Sequence, residues 1–363
     1  MKKFKEDEIL ILLGAGSSCD AGIKNSNQII SDIESKITEV NEWKRYSNIY
    51  NYIKSVYYQK QLHKGVSIAD INFNIENLVS LLNIIISIKE KSLDIYSFVG
   101  SWEKDLTTFI NDERSNNLAN QFRESIIKCL RGDWLMPSHW IEKSKYFEKL
   151  IDFKRQYDGN ALKIFTLNYD KCVEHNLRGE NLECGFNDFD KWNSKNYDYE
   201  NTKDYYLFKL HGSIDWKKRK EEPLMQTTGE ISPDELAIIF GISNKLQSYD
   251  PYLFYFYEFR IHCSKSKLVI SSGYGFLDDH INEVFKYGFE NDSKKRFVVN
   301  VYEPNRQDEE EDIKKEISDK LSICTSQIRI FNKKAKEFFE DDLDLNKLSN
   351  LFDDIDEDLP KGM

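Results

Sequence analysis

Short runs of consecutive apolar residues divide this chain into segments that are typical of strands buried on both faces. The first run, residues 9–13, ends at a glycine-containing segment, residues 14–18. Similar runs return in the second half of the chain, at residues 161–167, 205–210, 267–271, 296–302 and 326–331. Because helical or loop segments separate these runs, the pattern predicts an α/β fold with a Rossmann-like, doubly wound parallel sheet.

Between the first two runs, the apolar residues follow the spacing of a helix. They recur at intervals of three and four, as on one face of an α-helix: Leu78, Leu81, Leu82, Ile85 and Ile86. We therefore expect a large helical insertion or cap over residues 36–155. The sheet then belongs to a domain made of residues 1–35 and 156–339, which an acidic segment, residues 340–363, follows.

Two further segments are interpreted from their composition. Residues 217–234 are polar and contain Pro223, Gly229 and Pro233, which predicts a loop over the edge of the sheet. Residues 340–363 are strongly acidic but keep several leucines, a mixture that fits a C-terminal docking helix. A helix packed on its own domain is the alternative interpretation, and the sequence leaves both open.

Composition excludes several classes of protein. With 51 Lys and Arg residues against 62 Asp and Glu residues, the net charge is −11, so direct binding of nucleic acid is not expected. The six cysteines are scattered without a C-x-x-C pair, which argues against a disulfide framework and against a zinc knuckle. The apolar runs are too short for a signal peptide or a membrane span, and we expect a cytoplasmic protein.

Glycines and small residues follow the first predicted strand and form the first candidate site. Its residues are Gly14, Ala15, Gly16, Ser18 and Gly22. Two close glycines let the backbone approach a diphosphate, and a helix that follows would offer unpaired N–H groups. The alternative is a tight turn between strand and helix that binds no ligand.

Polar or small residues also follow four later strands, where open parallel sheets bind their ligands. The candidates are Thr166, Asn168 and Asp170, then His211, then Ser271, Ser272 and Gly273, and finally Asn300 and Glu303. A histidine followed by glycine suits proton transfer near neutral pH, with both ring nitrogens accessible. Each group also has a plain structural alternative: a helix cap, a structural histidine or a turn.

Taken together, these residues resemble the sirtuin-like NAD-binding family. The G-A-G-x-S-x-x-x-G-I pattern of that family is matched by Gly14, Ala15, Gly16, Ser18, Gly22 and Ile23. The T-Q-N-x-D, H-G, G-T-S and I-N-x-E patterns are similar to the four later groups. Two features depart from sirtuin deacylases: the Phe and Arg of G-I-P-D-F-R are missing, and residues 217–234 contain no zinc-binding cysteine.

Residues 73–78 and a G-Y-x-F-x-D element at 273–278 resemble bacterial sirtuin-like effectors of anti-phage defence. The resemblance implies an NAD⁺ hydrolase that takes NAD as substrate, needs no zinc, and forms nicotinamide with ADP-ribose or a cyclised product. It implies that Asn168 holds a ribose hydroxyl or the attacking water, that His211 contacts the ribose as general base, and that Asp170 binds the carboxamide. The other motif residues would bind NAD.

The resemblance also implies partners and rival functions. We expect a homo-oligomer that a second polypeptide controls, either a HerA-type ATPase or, alternatively, a short Argonaute. The rival functions are a sirtuin-type protein deacylase, a sensor that binds NAD or ADP-ribose without turnover, and a scaffold with a degenerate site.

Overall fold

The computed structural model describes residues 4–89, 117–157, 160–197, 203–219, 222–239, 249–290 and 292–351. The strands are β1 (Ile9–Leu13), β2 (Leu162–Thr166), β3 (Leu182–Glu183), β4 (Tyr205–Lys209), β5 (Gly212–Lys217), β6 (Met225–Gln226), β7 (Leu236–Ile238), β8 (Leu268–Ser272), β9 (Arg296–Val301) and β10 (Ile328–Asn332). The α-helices are α1 (Ser26–Glu39), α2 (Asn41–Lys44), α3 (Ser47–His63), α4 (Ile75–Lys89), α5 (Leu118–Cys129), α6 (Trp140–Lys143), α7 (Lys149–Arg155), α8 (Cys172–Asn176), α9 (Tyr252–Lys265), α10 (Asp279–Phe289), α11 (Glu310–Leu321), α12 (Ala335–Glu337) and α13 (Leu345–Asn350).

Seven of the strands form one sheet in the order β10-β9-β8-β1-β2-β4-β3, and every pair in it is parallel. All residues of β1, β2, β4 and β8 are buried, as expected for strands covered on both faces. The chain runs from β1 to β2 on one side and later returns to β8 on the other. The prediction of a doubly wound parallel sheet is confirmed, and β1 and β8 border its topological switch point.

A small antiparallel sheet, in the order β6-β5-β7, occupies the segment after His211. The prediction of a loop over residues 217–234 was therefore wrong for β6. Leu224 and Ile231 are buried within this polar segment, and the pairing of β6 with β5 supplies backbone hydrogen bonds to it. A two-residue strand leaves no alternating pattern for sequence analysis to detect.

The chain divides into two compact units. Unit 1 contains Met1–Ile23, Pro137–Ile238 and Leu246–Met363, and it includes both sheets. Unit 2 contains Lys24–Met136 and Ile239–Lys245, and its described part is helical. The domain limits inferred from the sequence remain predictions, and residues 90–116 of the predicted insertion lie outside the described residues.

Within unit 2, the structure gives a local reason for the motif at residues 73–78. The Asn77 backbone donates to the Asn74 side chain at 3.0 Å, and the Asn74 backbone donates to the Asn77 side chain at 3.1 Å. This reciprocal pair satisfies donors at the start of α4, as a capping box does. Phe73 and Leu78 are buried on either side of it.

The acidic C-terminal segment forms α13 within unit 1. Leu345 and Leu348 are buried, and the backbone N–H of Leu345 donates to Gln156 at 2.7 Å. Gln156 in turn donates to Asp344 at 2.9 Å. These contacts favour a helix packed on its own chain. Docking of residues 340–363 on a partner remains a prediction, and residues 352–363 lie outside the described part.

Candidate functional site

The turn after β1 and the turn after β8 are joined at the carboxyl edge of the sheet. The backbone N–H of Gly14 donates to the carbonyl of Ser272, and that of Gly16 donates to the carbonyl of Gly273, both at 2.9 Å. These two hydrogen bonds fix the first candidate motif against the fourth. The structure thus brings together two groups of residues that are more than 250 positions apart in the chain.

Glycine is required here because the two backbones nearly touch. A Cβ atom added at Gly14 would lie 2.5 Å from the Gly273 carbonyl oxygen, and one at Gly16 would lie 2.8 Å from the Gly273 Cα. One at Gly273, whose φ is +66°, would lie 2.0 Å from the backbone nitrogen of Ser17. Packing of one turn on the other therefore explains these glycines without a diphosphate, whose place next to them remains a prediction.

The element that follows the glycine turn differs from the expected α-helix. Residues Ala15–Ala21 form a 3-10 helix that ends at Gly22, which has a φ of +84°, and α1 begins only at Ser26. The helix that follows the turn is thus a short 3-10 segment, and its N-terminus as a binding place for a diphosphate remains a prediction. Gly22 itself is required by the left-handed conformation that ends this segment.

Asn168 lies where the turn after β2 meets the turn after β1. Its side-chain Nδ2 donates to the Gly14 carbonyl at 2.9 Å and lies 3.1 Å from the hydroxyls of Ser17 and Ser18. Its backbone N–H donates to the Thr166 hydroxyl at 3.0 Å. The residue is 8% exposed, and its Oδ1 has no hydrogen-bond partner among the described residues. A buried acceptor without a partner is uncommon and calls for an explanation.

His211 lies in the turn between β4 and β5 and faces a carboxylate. Its Nε2 lies 3.1 Å from Asp278 Oδ2, and the two side chains are 8% and 5% exposed. The expectation that both ring nitrogens are accessible was therefore wrong for Nε2. Asp278 was not among the predicted site residues, although it ends the G-Y-x-F-x-D element. Gly212 follows with a φ of +86°, which fixes the backbone next to the imidazole.

Asp170 and Thr166 hold the turn after β2 in place. Asp170 Oδ1 accepts the backbone N–H of Cys172 at 2.9 Å, a local turn contact of the kind that Asp side chains form two residues on. The Lys209 ammonium donates to the Asp170 carbonyl and to Glu174, the latter at 2.9 Å. Burial and the neighbouring Asp170 raise the pKa of the Cys172 thiol, so this cysteine stays protonated and is a poor nucleophile.

The residues at the ends of β8 and β9 have mixed environments. Ser271 is fully buried, and its hydroxyl has no hydrogen-bond partner within the described part of the chain. Ser272 donates to Asn300 Oδ1 at 2.7 Å, and the Asn300 amide donates to the carbonyls of Phe331 and Lys333. The Asn300 side chain, which extends from β9, thus forms hydrogen bonds with both β8 and β10.

Glu303 lies beyond the end of β9. Its carboxylate pairs with Arg306 at 3.1 Å, and its side chain is 40% exposed. Neither the buried amide of Asn300 nor this ion pair shows a free group aimed at a ligand, so the assignment of both residues to NAD binding remains a prediction.

Sequence analysis missed Ser17 and Tyr146 at this edge. The Tyr146 hydroxyl donates to the Ser17 carbonyl at 2.6 Å, and burial raises the pKa of this tyrosine. Ser17 donates its hydroxyl to the Gly14 carbonyl at 2.7 Å. Tyr146 precedes β2 in a helical segment and has no neighbouring motif, so no signal in the sequence could have found it.

The sequence predicts neither a bound zinc ion nor a membrane-spanning helix. In the ranges that the structure describes, no group of three or more His, Cys, Asp or Glu side chains is arranged to hold a metal ion. The absence of zinc nevertheless remains a prediction. No helix in those ranges is long and apolar enough to cross a membrane.

Residues 162–321 match the family model of the SIR2-like domain. This SIR2-like segment includes Asn168, His211, Gly273 and Asn300, whereas the glycine turn after β1 precedes it. A search of curated proteins found no match.

Some solved structures show a weaker, global likeness. A Sir2 homolog–NAD complex is 11% identical, with 95% of this chain and 90% of that chain covered and a TM-score of 0.42. Sir2Tm bound to a propionylated peptide is 12% identical, with 92% of this chain and 90% of that chain covered and a TM-score of 0.40. An ADP-ribose complex of a Sir2 homologue mutant is 10% identical, with 94% of this chain and 92% of that chain covered and a TM-score of 0.42. These scores are low, and they transfer no residue's role to this chain.

Proposed function

We propose that this chain is an NAD⁺ glycohydrolase that cleaves the bond between nicotinamide and ribose. The observation that carries the proposal is the buried, unpartnered Oδ1 of Asn168 at the carboxyl edge of the sheet. A ribose hydroxyl is a donor of suitable size for this acceptor, and His211 lies two residues beyond the end of β4, at the same edge of the sheet. The match of residues 162–321 to the SIR2-like domain supports a dinucleotide as the ligand.

The proposed reaction requires positioning more than acid catalysis. When the bond from C1′ to the pyridinium nitrogen breaks, its electron pair neutralises the ring, and nicotinamide leaves without a proton. The oxygen of a water molecule bonds to C1′, and the proton of that water passes to His211. The protein then has to hold the ribose, place the water and stabilise positive charge at C1′.

The remaining site residues have supporting roles in this proposal. Asn168 accepts a ribose hydroxyl through Oδ1 while its Nδ2 stays bonded to the Gly14 carbonyl. The unpartnered Ser271 hydroxyl is a second group that a ligand would satisfy. Asp170 binds the carboxamide with the carboxylate oxygen that does not accept the Cys172 N–H.

We further propose that the activity is regulated and belongs to the anti-phage branch of sirtuin-like effectors. An uncontrolled NAD⁺ hydrolase would deplete its own cell, so in this proposal the isolated chain turns over slowly and assembly raises the rate. The proposed assembly is a homo-oligomer with a HerA-type ATPase, or alternatively with a short Argonaute. The resemblance of residues 73–78 and 273–278 supports this branch.

The test is to incubate the purified chain with NAD⁺ and identify the products by chromatography. Nicotinamide together with ADP-ribose or its cyclised form is expected, and Asn168→Ala and His211→Ala should each lower the rate by about 10²-fold or more. Asn51→Ala and His63→Ala are matched controls, because both residues are exposed on α3.

Two other outcomes would contradict the proposal. Turnover that requires an acetylated peptide and gives O-acyl-ADP-ribose would identify a deacylase. Binding of NAD⁺ with full recovery of the intact dinucleotide would identify a sensor.

A further inference from the structure

The contact between Asp278 and His211 joins two distant strands of the sheet. His211 is two residues beyond the end of β4, and Asp278 is six residues beyond the end of β8. In the sheet, β1 and β2 lie between β8 and β4. At about 4.8 Å per strand spacing, β8 and β4 are roughly 14 Å apart. The loop after β8 must therefore cross the carboxyl edge to bring this carboxylate to the imidazole.

The position of the Asp278 carboxylate is fixed on one side by the helix that follows it. Oδ1 accepts the backbone N–H groups of His280 at 3.1 Å and Ile281 at 3.5 Å, which makes Asp278 the N-cap of α10. Oδ2, the other oxygen, faces His211 Nε2. One oxygen thus caps the helix, and the second faces the histidine.

The backbone of Asp278 is held as firmly as its side chain. The Tyr274 hydroxyl lies 3.1 Å from the Asp278 carbonyl and 2.9 Å from Asn282 Oδ1. Asn282 also donates to the carbonyl of Phe276 at 2.9 Å, and Phe276 has a φ of +55°. These contacts explain the Tyr, Phe and Asp of the G-Y-x-F-x-D element as parts of one rigid loop.

We propose that Asp278 is a positioning residue for His211. Its Oδ2 lies 3.1 Å from Nε2 and so favours the neutral imidazole with the proton on Nε2, the tautomer whose Nδ1 carries the lone pair. Nδ1 has no hydrogen-bond partner among the described residues, which leaves it available as the proton acceptor. The inference rests on the proposed hydrolysis, in which Nδ1 takes the proton of the attacking water.

A purely structural role as helix cap is the competing explanation, and two variants separate it from positioning. Asp278→Ser keeps an acceptor for the N-cap but removes the oxygen that faces His211. Asp278→Asn keeps the cap and the size, yet it places an amide N–H₂ against Nε2. That nitrogen must then accept, so the imidazole proton moves to Nδ1.

The direct readout is the tautomer of His211, measured by long-range ¹H–¹⁵N NMR on protein labelled at its six histidines. The His211 signals are assigned by their loss in His211→Gln. We expect the Nε2–H form in the parental chain and the Nδ1–H form in Asp278→Asn. Asp344→Asn is the matched control, because Asp344 caps α13 and has no histidine partner among the residues described.

Turnover provides the second readout. We expect both Asp278 variants to melt near the parental temperature and to bind ADP-ribose with unchanged affinity. Their kcat for NAD⁺ should fall by about 10²–10⁴-fold. An Nδ1–H form in the parental chain, or full turnover by both variants, would overturn the positioning role. If the tautomer switches as expected but no chain cleaves NAD⁺, then the proposed hydrolysis fails and the positioning of His211 stands.

Discussion

The contact of Gly273 with the turn after β1 leads to a prediction about stability. A Cβ at Gly273 would lie 2.0 Å from the Ser17 nitrogen and 2.4 Å from the Gly16 carbonyl carbon, and both atoms belong to the backbone. Neither can rotate away as a side chain does. The φ of +66° adds strain for any residue with a Cβ. We therefore predict that Gly273→Ala destabilises unit 1.

The magnitude follows from these two effects. Overpacking costs about 1–3 kcal/mol, and a left-handed conformation costs an L-residue about 1–2 kcal/mol. Together they lower the free energy of unfolding by roughly 2–5 kcal/mol, a large share of the 5–15 kcal/mol that is typical of proteins. A loss of this size is measured as a fall in the urea midpoint or in the melting temperature.

The matched control for this prediction lies in the same loop. A Cβ at Gly275 would meet only the Leu277 side chain, at 3.9 Å, so Gly275→Ala should change the free energy of unfolding by less than about 0.5 kcal/mol. Tryptophan fluorescence follows the transitions of both variants. Equal midpoints for Gly273→Ala and Gly275→Ala would refute the argument that turn–turn packing dictates the glycine.

Three further predictions concern buried charge and metal. Lys209→Met leaves Glu174 with only the longer contact to Lys171, at 3.5 Å, and we expect a loss of about 1–3 kcal/mol in chemical denaturation, which Glu174→Gln in the same chain partly restores. Burial lowers the pKa of His262 below its usual 6.5, so the unfolded chain takes up a proton first as the pH falls. Stability should therefore decrease below about pH 6.5, with a shallower slope in His262→Gln and an unchanged one in His63→Gln. Chelator treatment should change neither melting nor activity, and stoichiometric zinc in the purified protein would contradict this.

The fold could be predicted because its signals are local. Six of the seven strands in the parallel sheet are runs of apolar residues that are readable without knowledge of their neighbours, and their predicted limits differ from the observed ones by at most two residues. The two-residue strand β3 gives no such run and was not predicted. Asn168 was identifiable for a related reason, because it follows a strand whose carboxyl end must lie at the ligand-binding edge of the sheet.

The contacts within the site were harder to predict, since they join residues far apart in the chain. The sequence shows Gly16 but not its approach to Gly273, and so the turn was interpreted as space for a diphosphate. Likewise, the histidine was expected to be accessible because nothing near it in the chain predicts Asp278, which reaches it across two strands. Long-range packing alone decides which polar groups remain without a partner.

The central claim is that the edge containing Asn168 and His211 binds NAD⁺ and cleaves it, and a single-turnover experiment tests it most directly. The purified chain is used in excess over NAD⁺, so that even a slow enzyme consumes its substrate, and nicotinamide is measured over time. We predict that the parental chain releases one nicotinamide for each NAD⁺ and that Asn168→Ala does so about 10²-fold more slowly. NAD⁺ recovered intact from the parental chain, or released nicotinamide at the same rate from Asn168→Ala, would contradict the account.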